Sequence, residues 1–328
     1  MKNKHAHATW VIAAASVLAA TSASAQVPIV SQPAGLNLGG TSFYDGFSGA
    51  PGWTWLSWVR HASANAIKDN SGNNVAAFNS PKINSTSWAN QLSYSSPTNW
   101  GGWHPGVTAI LPLVALNSSF GPGASMTDGG TDLGDITVGA FLQSDPVMGA
   151  QGQPVFVQRL SLDTILPTGK YDQHTDINQS AGFASLNPYW AATLFPADRW
   201  EVSWRLHYLY NFKNDKPASS NPQQSFNGAP LTSTQAGQAS WVNFTASYAV
   251  TPALSLGING YLFQQLSDSK ANGSTLADSK ERVLGIGPGL MWRISRDTSL
   301  WVNTYHETLV RNRTSAPLTA QVRLAMHF

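Results

Sequence analysis

The chain has 328 residues with 13 Trp, 9 Tyr and 13 Phe, no Cys, and only 11% charged residues, where a soluble domain carries about 25%. The missing Cys excludes disulfides and thiolate metal sites, and the low charge argues against an ordinary cytosolic enzyme. Hydrophobic residues make up 42% at a mean hydropathy of −0.16, so the apolar residues are diluted among Gly, Ser, Asn and Pro rather than gathered into runs.

Residues 1–25 read as a cleaved secretory signal peptide. Lys2 and Lys4 precede an apolar stretch from Trp10 to Ala20, and Thr21-Ser22-Ala23-Ser24-Ala25 supplies the small residues of a cleavage site, expected before Gln26. A membrane anchor needs about 18 or more apolar residues, and this run has eleven. Cleavage removes Lys2 and Lys4, so the 19 Lys+Arg fall to 17 and equal the 17 Asp+Glu. A neutral mature chain without a dense basic patch is a poor match for nucleic acid. Residues 26–52, with Gly35, Gly39, Gly40, Gly46 and Gly49, are too Gly-rich for a strand pair. Two placements are open to this segment: a plug inside a lumen or a periplasmic tail.

From residue 53 onward the pattern is alternation with period two. Strands are expected at 53–67, 85–95, 103–116, 132–143, 154–166, 182–195, 199–211, 236–250, 253–266, 281–295, 298–311 and 317–328. In the seventh, Trp200, Val202, Trp204, Leu206, Tyr208 and Tyr210 are apolar while Glu201, Ser203, Arg205 and His207 lie between them. The eighth repeats this with Val242, Phe244, Ala246 and Tyr248 against Asn243, Thr245 and Ser247. Val107 to Leu116, the best apolar run, is ten residues long and contains Pro112, so it is a strand rather than a helical span. Many alternating strands of about ten residues are the signature of a membrane barrel, apolar towards lipid and polar towards its lumen.

A soluble sandwich also alternates, and the connections discriminate. Those at 97–102, 196–198, 251–252 and 296–297 are short, while those at 68–84, 117–131, 167–181, 213–235 and 267–280 are long and polar. Short turns on one rim and long loops on the other are the outer-membrane arrangement. Two connections depart from it: 144–153 is long for a turn and 312–316 short for a loop. The last strand alternates through Leu318, Ala320, Val322, Leu324, Met326 and Phe328, and a terminal aromatic closing such a strand resembles the recognition signal of the outer-membrane assembly machinery. The expected fold is therefore all-β: a transmembrane antiparallel up-and-down β-barrel of about 12 strands (12–14) over residues 53–328. It sits in the outer membrane of a Gram-negative cell, against lipids and lipopolysaccharide. The 213–235 loop, rich in Ser, Asn, Gln and Pro, is expected to be mobile.

The stretches Leu162 to Asp172, Asn187 to Thr193, Trp200 to Asn211, Val242 to Tyr248 and Gly285-Ile286-Gly287-Pro288-Gly289 resemble the phenol meta-pathway degradation family of outer-membrane β-barrel proteins. The resemblance covers about residues 35–328. It implies a barrel associated with the catabolism of aromatic compounds, through uptake.

If even-numbered residues between 182 and 266 face lipid, the lumen receives Tyr189, Trp241, Tyr261 and Phe263, expected to bind solute, with the charges Arg159, Asp163, Glu201, Arg205 and His207. Aromatic faces beside a few polar groups suit an aromatic or amphiphilic solute, whereas the same charges read equally well as a structural ion-pair network. The expected function is passive uptake of small hydrophobic or aromatic compounds. The alternatives are a general porin for polar solutes and a structural or adhesive barrel acting through its outer loops. Catalysis is not expected: G-x-S-x-G, H-E-x-x-H and P-loop motifs are absent. His306 and His327 read as rim or interfacial residues. Asp128, Asp132 and Asp135 with Gly129, Gly130 and Gly134 read as a solvated turn rather than a Ca²⁺ loop. No cofactor is called for.

Overall fold

The computed structural model describes residues 30–221 and 224–328. The expected signal peptide, residues 1–25, lies outside the described residues. Among those described no helix is long and apolar enough to cross a membrane, and the regular structure is entirely β.

Twelve strands form the body: β1 (Gly52–Ala64), β2 (Lys82–Ser95), β3 (Trp103–Ser119), β4 (Ile136–Ser144), β5 (Pro154–Leu166) and β6 (Ser185–Leu194). They continue as β7 (Trp200–Asn211), β8 (Ala239–Ala249), β9 (Leu254–Gln265), β10 (Arg282–Arg293), β11 (Thr298–Arg311) and β12 (Leu318–His327). Each pairs antiparallel with its sequence neighbour, and β12 returns to β1 through Thr54↔His327 to Ser63↔Leu318. Closure has a plain cause, because an open sheet edge in hydrocarbon would leave backbone N–H and C=O groups unpaired.

The alternation fixes which face is which. Leu206, Leu256, Ile258, Leu262, Ile286 and Val322 stay exposed on the outside of the barrel, while His207, Asn243, Asn259, Gln265, Asn303 and Gln321 are buried within it. That is the inverse of a soluble protein and the arrangement a lipid solvent demands. Near the short-turn rim Trp53 lies 5.0 Å from Tyr94 and Trp200 lies 5.3 Å from Tyr248, paired rings of an interfacial girdle.

Both irregular connections have local reasons. In 145–153, Val147 and Met148 pair back onto Phe156 and Pro154 with a register shift, so the β4–β5 hairpin continues through a bulge. In 312–317, Thr314 and Ser315 pair with Ile67 and Ala66, so the β1–β12 contact runs on above the barrel. The expected fourth strand divides: Thr131–Leu133 pairs alone with β3, and Asp135 turns away to accept the amides of Gly169 and Ala181 at 3.1 and 2.9 Å.

The 213–235 loop makes contacts with the loops beside it. Its described residues are tied to neighbours: Asn214 exchanges backbone bonds with Thr234, Asn214 Nδ2 donates to Tyr171 Oη at 2.8 Å, and the Thr232 amide donates to Asn272 Oδ1 at 2.8 Å. Asn214 and Thr232 thus tie this loop to the β5–β6 and β9–β10 loops. Asp128 is held likewise, accepting the Ser118 amide at 2.7 Å and its hydroxyl at 2.6 Å. Among the described residues no group of three or more His, Cys, Asp or Glu could hold a metal ion.

Candidate functional site

Inward side chains stack in rows because the register is continuous from strand to strand. One row runs Ser161, Tyr189, His207, Trp241, Phe263 and Val283 across β5 to β10. Its rings touch in sequence: Tyr189 to His207 at 4.9 Å, His207 to Trp241 at 4.0 Å, and Trp241 to Phe263 at 6.1 Å. The row below contains Arg159, Ala191, Arg205 and Asn243. Two arginines thus flank one small residue, and both guanidiniums rise to the Tyr189 ring, Arg205 at 4.6 Å and Arg159 at 5.8 Å from its centroid.

The lumen is not empty. Residues 30–51 run along it from the long-loop rim to the short-turn rim, held mostly by backbone groups. Gln32 lies between Asn211, Gln265 and Glu281, whose Oε1 accepts its amide at 3.0 Å. Four successive carbonyls are then gripped by the wall. Asn37 O accepts Trp241 Nε1 and Asn243 Nδ2, Leu38 O accepts Arg60, Gly39 O accepts the Tyr305 hydroxyl at 2.7 Å, and Gly40 O accepts Gln321 and Arg323. Further down, the Tyr44 amide donates to Glu201 Oε1 at 2.9 Å and the Gly46 amide to Thr193 Oγ1 at 2.9 Å. Phe43 packs against Met291 and Trp301.

Gly39 shows how tight the fit is. Its φ is +70°, and a Cβ there would stand 2.7 Å from the Tyr305 ring and 2.8 Å from that of Tyr261. A glycine is required twice over, by conformation and by space. Gly285 makes the matching allowance on the wall, where a Cβ would meet the Tyr261 ring at 2.3 Å.

All nine residues expected to face the lumen do so. The four aromatics are nevertheless covered: Tyr189 is 8% exposed, Trp241 1%, and Tyr261 and Phe263 0%. Trp241, Tyr261 and Phe263 pack into one apolar cluster with Leu38 of the inner segment, so a solute reaches them only if that segment shifts. Inward residues on the opposite wall, Leu56, Trp58, Gln91 and Ile110, keep partial exposure; the room the segment leaves therefore lies along β1 to β3. Beneath the segment, at the short-turn rim, Phe47, Gly49, Gln143, His104 and Asp145 line a cavity of about 180 Å³.

The expected charge network needs correction. Glu201 pairs with no arginine; it accepts Tyr44 N, the Ser203 hydroxyl and the Ser247 hydroxyl. Arg159 and Asp163 form no ion pair, and Arg159 Nε, Asp163 Oδ1 and His207 Nε2 have no hydrogen-bond partner. The partner of Arg205 is Asp45 from the inner segment, with Arg205 Nε 3.1 Å from Asp45 Oδ2 and NH2 bonded to Oδ1. The physical reason lies in the register: Glu201 and Arg205 are four residues apart along one strand, and the cross-strand neighbours of the arginines are Gln143, Ala191 and Asn243, none of them charged. Asp45, Asn243, Tyr305 and Arg323 were missed by the sequence reading. A signal for Asp45 existed, since it is the only Asp, Glu, Lys or Arg between residues 5 and 59, and a lone charge in an apolar, Gly-rich segment needs a counter-charge wherever it is buried.

A family model described as "Putative MetA-pathway of phenol degradation" matches residues 64–323, which is the barrel from the end of β1 into β12. The chain belongs to this family. Among solved structures it is similar to the COG4313 outer membrane channel from Pseudomonas putida F1, with 15% identity, a TM-score of 0.73, and coverage of 87% of this chain and 98% of that one. Two slighter likenesses are the translocator domain of the autotransporter NalP from Neisseria meningitidis (9% identity, TM-score 0.44, 86% and 90% covered) and a Pseudomonas aeruginosa FadL homologue (10%, 0.38, 84% and 90%). No curated protein sequence matches the chain. The likeness to the Pseudomonas putida channel shows a shared fold, that of a closed barrel.

Proposed function

We propose that the protein is a passive outer-membrane channel for small hydrophobic or aromatic solutes, serving aromatic catabolism, with residues 30–51 as a plug that limits the passage. The observation that carries this reading is the aromatic row Tyr189, His207, Trp241 and Phe263, four touching rings along one wall of the lumen. A barrel of eight strands is filled by its own side chains and one of sixteen holds an aqueous channel; twelve leave a bore that the inner segment takes up. A solute of that size must cross a polar lipopolysaccharide layer before it meets any apolar phase, and a row of rings offers it a path needing no energy source.

Family membership supports a link to phenol breakdown. A general porin would need an open lumen, and the gripped carbonyls of residues 37–40 favour the plugged reading over it. The test is uptake of a labelled phenol or toluene analogue by cells with and without the protein, alongside single-channel conductance. Faster uptake with low ionic conductance is the expected result. Large conductance without aromatic preference makes the protein a porin.

A further inference from the structure

The chemistry around Arg205 narrows the solute class further, on the premise that the lumen conducts solute. Asp45 reaches Arg205 with both carboxylate oxygens, the fork-to-carboxylate geometry that arginine is suited to. The guanidinium lies against the Tyr189 ring. Asp45 arrives beside two rings of its own segment, Phe43 and Tyr44, so the inner segment presents an aromatic body and a carboxylate to this wall. A second guanidinium, that of Arg159, stands on the same ring with its Nε unpartnered. Ser161 Oγ, Asp163 Oδ1 and His207 Nε2 nearby are unpartnered as well. Arg159, Asp163, Arg205 and His207 are each 9% exposed or less, and buried polar groups normally find partners. The pocket is built for more hydrogen bonding than Asp45 supplies.

We propose that Arg205 and Arg159, with Tyr189 and His207, form a binding site for an aromatic monocarboxylate, with benzoate its simplest member, and that Asp45 is a resident stand-in which such a solute displaces. The incoming carboxylate takes the fork of Arg205 and reaches Arg159, while its ring lies along the row from Tyr189 to Trp241. The exchange replaces one carboxylate by another, so Arg205 keeps a counter-charge while the solute is bound. A neutral aromatic has no group to compete for Arg205 and passes only at the basal rate of the unopened channel, and an aliphatic carboxylate gains nothing from the rings. Release of Asp45 removes the ionic contact of the lower segment and leaves it on neutral backbone bonds and the amide hydrogen bond to Glu201, through Tyr44, Asp45 and Gly46, so that it can shift. The grip on carbonyls 37–40 stays.

The experiment is ion conductance of the full-length protein in planar bilayers, with benzoate, benzamide or acetate added, for the wild type and for Asp45→Asn. Benzoate should raise wild-type conductance several-fold, with benzamide and acetate leaving it at its basal level. Asp45→Asn should conduct at the raised level without solute and respond to none of the three. Benzoate quenching of tryptophan fluorescence, through Trp241, should appear in both proteins and vanish in Arg205→Gln. If Asp45→Asn conducts but benzoate neither opens the wild type nor quenches it, the carboxylate site is refuted while the channel stands. Equal opening by acetate refutes the aromatic part. Should neither protein conduct or take up solute under any condition, the channel reading itself fails.

Discussion

His207 and Trp241 stack face to face, their ring centroids 4.0 Å apart and their planes inclined by 9°, on neighbouring strands at one level of the barrel. Trp241 also donates its indole N–H to Asn37 O at 3.1 Å, so one side chain joins the wall, the aromatic row and the inner segment. Trp241→Ala should destabilise the protein by about 3–5 kcal/mol, the range for emptying a large buried ring. Trp241→Phe should lose less, since it keeps the stack and forfeits the hydrogen bond. Midpoints of urea unfolding in lipid or detergent micelles would check both, and equal midpoints for wild type and Trp241→Ala would deny the row a structural role.

Gly39→Val should expel the upper segment from its seat without opening the barrel. The new side chain has no room between Tyr305 and Tyr261 and is strained at a φ of +70°. Because the chain contains no Cys, a single Cys in place of Ser42 reports the change directly. Ser42 is buried against Asn303, so thiol labelling should be slow in the parent and fast with Gly39→Val, at unchanged strand content by circular dichroism.

The loops between β3 and β4 and between β5 and β6 should loosen in acid. Burial works against the charge of Asp128, but the Ser118 hydroxyl and amide and the Gly130 amide outweigh it and hold its pKa below the ordinary 3.8. A carboxylate with a depressed folded pKa contributes stability that is present above its unfolded value and is lost as pH falls through the folded one. A spin label on Cys at position 125 should therefore gain mobility only below about pH 4. Asp128→Asn should be mobile throughout and insensitive to pH.

Removal of Phe328 should lower the amount of barrel recovered in the outer membrane. Its backbone exchanges two hydrogen bonds with Trp53, at 3.1 and 2.9 Å, yet the residue is 70% exposed, so its side chain adds little to packing. Phe328→Ser keeps the backbone bonds and should fold normally in detergent while reaching the membrane poorly in cells. Normal membrane levels would show that the assembly machinery reads something else.

The barrel was legible because lipid and lumen impose opposite polarities on alternate residues: Leu206 beside His207, or Val242 beside Asn243, announces a strand and assigns its faces. Turn parity then gave closure and the two rims. The inner segment was legible only as an exception, too rich in Gly to be a strand. Its anchors are the carbonyls of residues 37–40, and every residue carries a carbonyl, so no side-chain pattern marks them. For the same reason the charges Arg159, Asp163, Glu201 and Arg205 were placed correctly on the inner face while the pairing among them was not. Their missing member, Asp45, lies in the segment that has no periodicity to place it.

The most direct test of the central claim is uptake of a labelled phenol by cells with an intact lipopolysaccharide layer, comparing cells that make the protein with cells that do not. A channel for aromatic solutes predicts faster entry in the cells that make it, and faster still with Asp45→Asn. Equal rates in all three would contradict the account.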